Sequence, residues 1–343
     1  VILVPGGMGS QLIRTQDPFD ELSMGVTQFD TVWMDPGILF QSDTLKLEID
    51  SQGRDINGYI IVAEGPLRYL VKAYDGTEQF FTDRNNGNYN YLVFGYDWRR
   101  PLAESAAFLE EFLDMFRKAV FDRYHVNPLL QTTLFCHSQG GLVARLLVSS
   151  SGDDFWSLVS NKPFADYPLS PEAREILSGS IFFEPVPSIT RAVFISTPHR
   201  GSFLAASWIG RLARGLVEAP KNLSRSLRQL GQTADLPEEL RQEVPTSVEN
   251  MEPGSRFVEV LQGLPFAPGV HLHSIVAVDG AGPVAKGDDG VVAYRSAHLD
   301  AAESELVVRH GHSCQNEPET VLELRRILLE HLQPVSYTHL TLP

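Results

Sequence analysis

The sequence predicts an α/β fold built on a mostly parallel sheet with helices on both faces, and three observations carry that expectation. Six short apolar, β-branched runs recur along the chain, amphipathic helical patterns lie between them, and one run bends through Cys136-His137-Ser138-Gln139-Gly140-Gly141 into a helical segment. Near-continuous apolar runs suit strands buried on both faces, and strands alternating with helices require crossover connections, hence parallel pairing.

The runs are VILV (Val1 to Val4), YLVFGY (Tyr91 to Tyr96), TTLF (Thr132 to Phe135), AVFIS (Ala192 to Ser196), HSIVAV (His273 to Val278) and ELVV (Glu305 to Val308). Between the second and third, Leu102 to Val120 places Leu109, Phe112, Leu113 and Phe116 on one stripe and Glu110, Glu111, Arg117 and Lys118 elsewhere, the pattern of an amphipathic crossover helix. GLVARLLV after the serine corner gives a second helix, and Glu319 to Leu332, after Pro318, gives a third. Two stretches break the alternation. Residues 152–190 are rich in Pro, Ser and aromatics, and about 200–268 is charged, helix-leaning and interrupted by Pro220, Pro237, Pro245, Pro253 and Pro265. Insertions of that length between core strands are expected to form caps or lids over the strand ends, where ligands bind. The segment over about 10–57 is expected to add to the same rim. Together these give a single domain over 1–334; the final stretch, 335–343 (VSYTHLTLP), follows Gln333-Pro334, carries neither period, and is expected to be a non-native tail.

At 343 residues the chain is long enough for one large α/β core with insertions, and 43% hydrophobic with 21% charged residues is the composition of an ordinary globular protein. Acidic residues outnumber basic ones 43 to 28, a net charge of −15, which argues against nucleic acid or an anionic membrane surface as partner. Transient apolar contact with lipid stays open. No run approaches the roughly 18 apolar residues that span a bilayer. The chain begins inside a strand pattern without an initiator Met, which leaves removal of a leader, truncation and the compartment open, with the cytoplasm favoured slightly over secretion. The two cysteines, Cys136 and Cys314, are expected to be free thiols. Composition and spacing do not reach the oligomeric state.

The serine corner is the candidate site. An alcohol is a poor nucleophile unless it is held exposed beside a base. A G-x-S-x-G turn between a strand and a helix does the holding, because small neighbours allow a strained backbone close to adjacent strands. Here Cys136 stands in the first glycine position, and the context, TTLF before and GLVARLL after, is the one the motif demands. An acid is then expected after a later strand and a histidine near the end of the chain. GDDGVVAY supplies Asp288 and Asp289 after HSIVAV. RHGHSCQ supplies His310 and His312 after ELVV, and His312 is preferred because it stands further past the strand in a Gly-His turn. A tetrahedral oxyanion needs backbone donors. Gln139, next to the serine, offers one N–H, and VPGGMGSQL after the first strand offers the other, from Gly7 with Met8 in reserve.

These segments resemble those of the α/β-hydrolases, and within them the lecithin:cholesterol acyltransferase-like lipases and acyltransferases. VPGGMGSQL resembles the family's oxyanion loop, GYDWRRP its Tyr-Asp-Trp-Arg segment, CHSQGGLVAR its nucleophile turn, GDDGVVAYRSA its acid loop and STPHRGS the turn that opens its cap, in family order across nearly the whole chain. The resemblance implies an α/β-hydrolase fold with a mostly parallel central sheet, helices on both faces and inserted cap and lid segments. It implies Ser138, Asp289 and His312 as a triad, since the family's acid directly precedes Gly-Val-Val. It also implies Gly7 and Gln139 as the oxyanion donors, and Asp97, Trp98 and Arg99 as shapers of an acyl pocket and lid base. Gln139 departs from the family's Met, and the lid disulfide of animal members has no counterpart. The expected activity is hydrolysis of carboxylic, especially lipid, esters with no cofactor and no metal, a small-molecule or lipid ester being the partner. Acyl transfer to an alcohol is the first alternative and a catalytically silent binding protein another. A metal-dependent hydrolase using the His271-x-His273 and His310-x-His312 pairs, each on one face of a strand, is a third.

Overall fold

In a computed structural model of the protein, the described residues are 1–15, 30–33, 60–66, 74–83, 90–125, 131–203 and 251–332. Most of the expected cap over 200–268, much of the 10–57 rim and the tail 335–343 lie outside them. In chain order the strands are β1 (Ile2–Val4), β2 (Ser10–Thr15), β3 (Asp30–Trp33), β4 (Ile60–Pro66), β5 (Leu92–Val93), β6 (Thr132–His137), β7 (Ile189–Ile195), β8 (His271–Ala277) and β9 (Ser304–Val308). The helices are α1 (Asp75–Thr82), α2 (Leu102–Tyr124), α3 (Gln139–Leu147), α4 (Asp154–Ser157), α5 (Pro171–Ile181), α6 (Arg256–Gly263), α7 (Tyr294–Ala297) and α8 (Pro318–Leu332).

The six apolar runs form one sheet in the order β5-β1-β6-β7-β8-β9, with every adjacent pair parallel. Alternate residues feed two cores. Ile2, Val4, Leu134, Cys136, Ala192 and Phe194 face α2 and α3, where Leu109, Leu113, Leu142 and Leu146 cover them. Leu3, Phe135, Val193, Ile195, Ile275 and Val308 face the other way, against Phe81 of α1 and Leu324, Ile327 and Leu328 of α8. A strand buried on both faces has no polar face to show, which is why the runs read as continuous rather than alternating. Burying a side chain of this size removes enough apolar surface to be worth about 1.5–3 kcal/mol. The fold is thus the expected α/β-hydrolase arrangement, a mostly parallel central sheet with helices on both faces.

Helix α2 runs to Tyr124, a turn beyond its periodic stretch, and ends at His125 in a left-handed cap (φ 51°). The 152–190 segment holds α4 and α5, with Ser170 capping α5 through the Ala173 N–H (3.2 Å). Phe155, Trp156, Tyr167 and Leu177 of this segment sink into the larger core, so its base is continuous with the sheet's packing. A second, antiparallel sheet, β3-β2-β4, was not expected, and neither was α1. Because the six central strands are parallel, the loops after β1, β6, β8 and β9 all leave the same sheet edge. That edge collects VPGGMG, Ser138, the acid loop and the histidine loop.

Candidate active site

Ser138 stands between β6 and α3 with φ 51° and ψ −124°, a conformation that costs a non-glycine residue about 1–3 kcal/mol. Two hydrogen bonds hold it there: its N–H donates to the Ile195 carbonyl (2.8 Å) and its carbonyl accepts from the Gly141 N–H (3.0 Å). Gly140 is required by space, since a methyl group there would run into the Val4 and Pro5 carbonyls where α3 crosses the end of β1. At the position of the motif's first glycine, Cys136 is fully buried in the sheet, paired in register with Val4 and Phe194. Burial pushes its thiol well above the usual range, so it stays protonated. Both cysteines are free and buried.

His312 lies with Nε2 2.8 Å from Ser138 Oγ and Nδ1 2.8 Å from Asp289 Oδ2. Asp289 can only accept when ionised, so Nδ1 carries the proton and Nε2 is left to accept from the serine hydroxyl. The carboxylate is almost wholly buried, and its other oxygen accepts the Val291 and Val292 N–H groups at 2.9 and 2.7 Å. Burial alone would raise its pKa, but the bond and charge of His312 and the two backbone donors outweigh that and hold it below the usual carboxylate range. The backbone joins in: the His312 N–H donates to the Asp289 carbonyl (2.9 Å).

The open alternatives separate in space. Asp288 is exposed and turns back on its own loop, accepting the Gly290 N–H at 2.8 Å. His310 points away to Glu317, 3.2 Å from its Nε2. Ser138, His312 and Asp289 come together; Asp288 and His310 do not join them. For the metal alternative, His271 and His273 open β8 whereas His310 and His312 follow β9, at opposite ends of two parallel strands. His271 pairs with Glu303 at 2.6 Å, and His273 is buried beside Arg191 and Ser304. Among the described residues no three His, Cys, Asp or Glu side chains are grouped to hold a metal ion.

Gly7 and Gln139 face each other across the serine's edge, close enough that a methyl group at Gly7 would collide with the Gln139 side-chain oxygen. Neither backbone N–H has an acceptor among the described residues. Met8 takes a left-handed backbone (φ 62°) just beyond. Asp97, Trp98 and Arg99 sit behind Gln139, whose side-chain amide donates to the Trp98 carbonyl (3.3 Å). Arg99 clamps Asp97 through both carboxylate oxygens (2.8 and 2.6 Å) with the pair buried, and Trp98 is packed in the larger core.

Two groups escaped the sequence reading. Tyr74, at the start of α1, is buried with its hydroxyl against the VPGGMG loop and His137. Asn316, just past His312, caps the same helix: its Oδ1 accepts the Gly76 and Thr77 N–H groups at 3.0 and 3.3 Å. Their partners lie up to 240 residues away in sequence, and no local periodicity announces such contacts.

Two buried histidines also leave a mark on stability. Burial, then the charge of His312, lowers His137 to about 3. Burial and the nearby Arg145, whose guanidinium donates to His199 Nδ1 at 3.1 Å, hold His199 well below its ordinary value. Their folded pKa values lie below the unfolded value of 6.5, so between the two the unfolded chain binds protons that the native state refuses. Stability therefore falls as pH drops below about 6.5, by up to about 1.4 kcal/mol per pH unit for each histidine. Urea midpoints at pH 7.5, 6 and 5.3, above most carboxylate titration, should decline in that order; equal midpoints would contradict it.

No protein-family model and no curated protein matches the chain. Among solved structures, the mature lipase BlEst2 of Bacillus licheniformis is similar with TM-score 0.42 and 15% identity, covering 75% of this chain and 86% of that one. A metagenomic carboxyl esterase is similar with TM-score 0.40 and 14% identity, covering 74% and 70%. A structure described as a Tle4-Tli4 complex has TM-score 0.47 and 13% identity, covering 96% and 98%. These likenesses are distant; the fold stands on its strand order and the site on its own distances.

Proposed function

We propose that the protein is a serine hydrolase of carboxylic esters, lipid esters in particular, acting through an acyl-enzyme on Ser138. The supporting observation is the position of one imidazole, 2.8 Å from a strained serine on one side and 2.8 Å from a buried carboxylate on the other. Ser138 Oγ attacks the ester carbonyl carbon as its proton passes to His312 Nε2, and Asp289 stabilises the imidazolium so formed. The carbonyl oxygen, now an oxyanion, accepts from the Gly7 and Gln139 N–H groups. Collapse breaks the ester C–O bond, and the leaving alcohol takes the proton from His312. Water then attacks the acyl-serine by the same steps in reverse order, releasing the acid and restoring the hydroxyl.

The choice of lipid esters rests on the resemblance of GYDWRRP, CHSQGGLVAR and GDDGVVAYRSA to the lecithin:cholesterol acyltransferase-like lipases and acyltransferases. Asp97, Trp98 and Arg99 act in this scheme from behind, fixing Gln139 and with it one oxyanion donor. No helix among the described residues is long and apolar enough to cross a membrane. The test is a series of aryl and glyceryl esters of increasing chain length, with and without an added alcohol acceptor, in the presence of a chelator. Chelator-resistant hydrolysis that rises with acyl length is expected. Products dominated by the new ester would turn the reading to acyl transfer, and absence of turnover on every ester would leave a binding protein on the same fold.

A further inference from the structure

The machinery described so far uses Ser138, His312, Asp289 and two backbone donors, but it leaves a buried chain of polar groups unexplained. The Gly6 N–H donates to the Tyr74 hydroxyl at 2.8 Å, that hydroxyl lies 3.0 Å from His137 Nδ1, and His137 Nε2 lies 3.1 Å from the His312 carbonyl oxygen. Both ends have a fixed sense, because an N–H only donates and a carbonyl only accepts. His137 must then carry its proton on Nε2, and the tyrosine's single proton must go to Nδ1. Every donor finds one acceptor in this arrangement and in no other. Ring packing agrees: Tyr74 meets His137 edge to face at 5.9 Å, and the His137 and His312 rings sit 5.0 Å apart.

The surroundings are cut to fit the chain. A methyl group on Gly9 would lie 2.9 Å from the Tyr74 hydroxyl oxygen, and one on Gly6 would lie 2.9 Å from His137 Nδ1. The glycines of VPGGMG thus make room for a particular hydroxyl and a particular ring. Tyr74 is held from its other side as well. Asn316 caps the first N–H groups of α1, and the Thr77 hydroxyl donates to the Gln315 carbonyl at 2.6 Å, so the residues after His312 are docked on the helix that Tyr74 begins.

We infer that Tyr74 and His137 are positioning residues that lock the oxyanion loop and the His312 loop into one register, so that donor and base meet the same reacting carbonyl. The inference rests on the serine-hydrolase reading above. It also gives His137 a reason to stay uncharged: a cation there would face the imidazolium that forms on His312 in the reaction. Burial keeps it neutral to about pH 3.

Two measurements test this on the full chain. In the first, Tyr74→Phe keeps the ring and deletes only the hydroxyl. Hydrolysis of a short aryl ester should fall about 10- to 100-fold in kcat with KM changed less than about twofold, the signature of misplaced groups rather than lost binding. His137→Asn should fall similarly, and the double variant should be no slower than the slower single, because both break one chain. A Tyr74→Phe enzyme as fast as wild type, or losses that multiply, overturns the inference. In the second, nitrogen-15 NMR of histidine-labelled Ser138→Ala protein reads the His137 tautomer between pH 7 and 5, without catalysis and without altering Tyr74. A neutral ring protonated on Nε2 throughout is expected; a proton on Nδ1, or titration in that range, overturns it. Wild-type labelling by a fluorophosphonate separates the two ideas. If the wild type is not labelled, the hydrolase reading fails and the hydrogen-bond chain is judged by the tautomer alone.

Discussion

Ser138→Ala should lower kcat for a short-chain ester by about 10⁶-fold, the size of loss found when a triad nucleophile is removed. The reason is structural as well as chemical. The hydroxyl sits at a backbone conformation that the Ile195 carbonyl and the Gly141 N–H hold in place, and those bonds survive the substitution. What disappears is the atom proposed to form the acyl-serine. Alanine keeps the proposed oxyanion donors, so a residual rate above the uncatalysed one is expected. Thermal midpoint and circular dichroism should match wild type, which distinguishes lost chemistry from lost fold.

Asp289→Asn should lower kcat by about 10⁴-fold, whereas Asp288→Asn should leave it within about twofold. Asparagine at 289 fills the same buried space but presents either an amide N–H to His312 Nδ1, forcing the proton to Nε2 where the serine needs an acceptor, or a neutral oxygen that stabilises the imidazolium poorly. It also weakens acceptance of the Val291 and Val292 N–H groups. Asp288 shares none of this, being exposed and bonded within its own turn. Steady-state kinetics on the two purified variants decide the matter, and equal losses would contradict the assignment.

The central sheet was legible because its strands are buried on both faces. VILV, TTLF and AVFIS could be read without knowing their partners, since a parallel strand under two layers of helix must be apolar throughout. Their ends were less clear. The TTLF strand continues through Cys136, which is buried in the core, and His137, a polar residue whose ring meets the Tyr74 hydroxyl and the His312 carbonyl. In the YLVFGY run only Leu92–Val93 is strand, yet the Phe94 N–H still donates to the Leu3 carbonyl. The second sheet has no clear sequence signal, because Ile60–Pro66 ends in Glu64, Gly65 and Pro66, residues that read as a turn.

The serine corner stood out because its chemistry is local: small residues, a bend and a helix within a few positions. Between Asp288 and Asp289, both in one turn, chemistry and spacing leave the acid open; the preference for Asp289 comes from the resemblance, through its place directly before Gly-Val-Val, and in the fold it is Asp289 that faces His312. Tyr74 and Asn316 are further removed still. Each earns its place through bonds spanning dozens to hundreds of residues, and a single tyrosine before Asp-Gly-Thr carries no pattern that reveals the glycine loop above it.

The central claim is that Ser138 Oγ is an activated nucleophile, and the most direct measurement is the intact mass of the wild-type protein after exposure to a fluorophosphonate, with peptide mapping of the adduct. The account predicts one adduct per chain, on Ser138, absent in Ser138→Ala and strongly slowed in His312→Ala. An adduct elsewhere, or labelling of Ser138 that proceeds unchanged without His312, would contradict it.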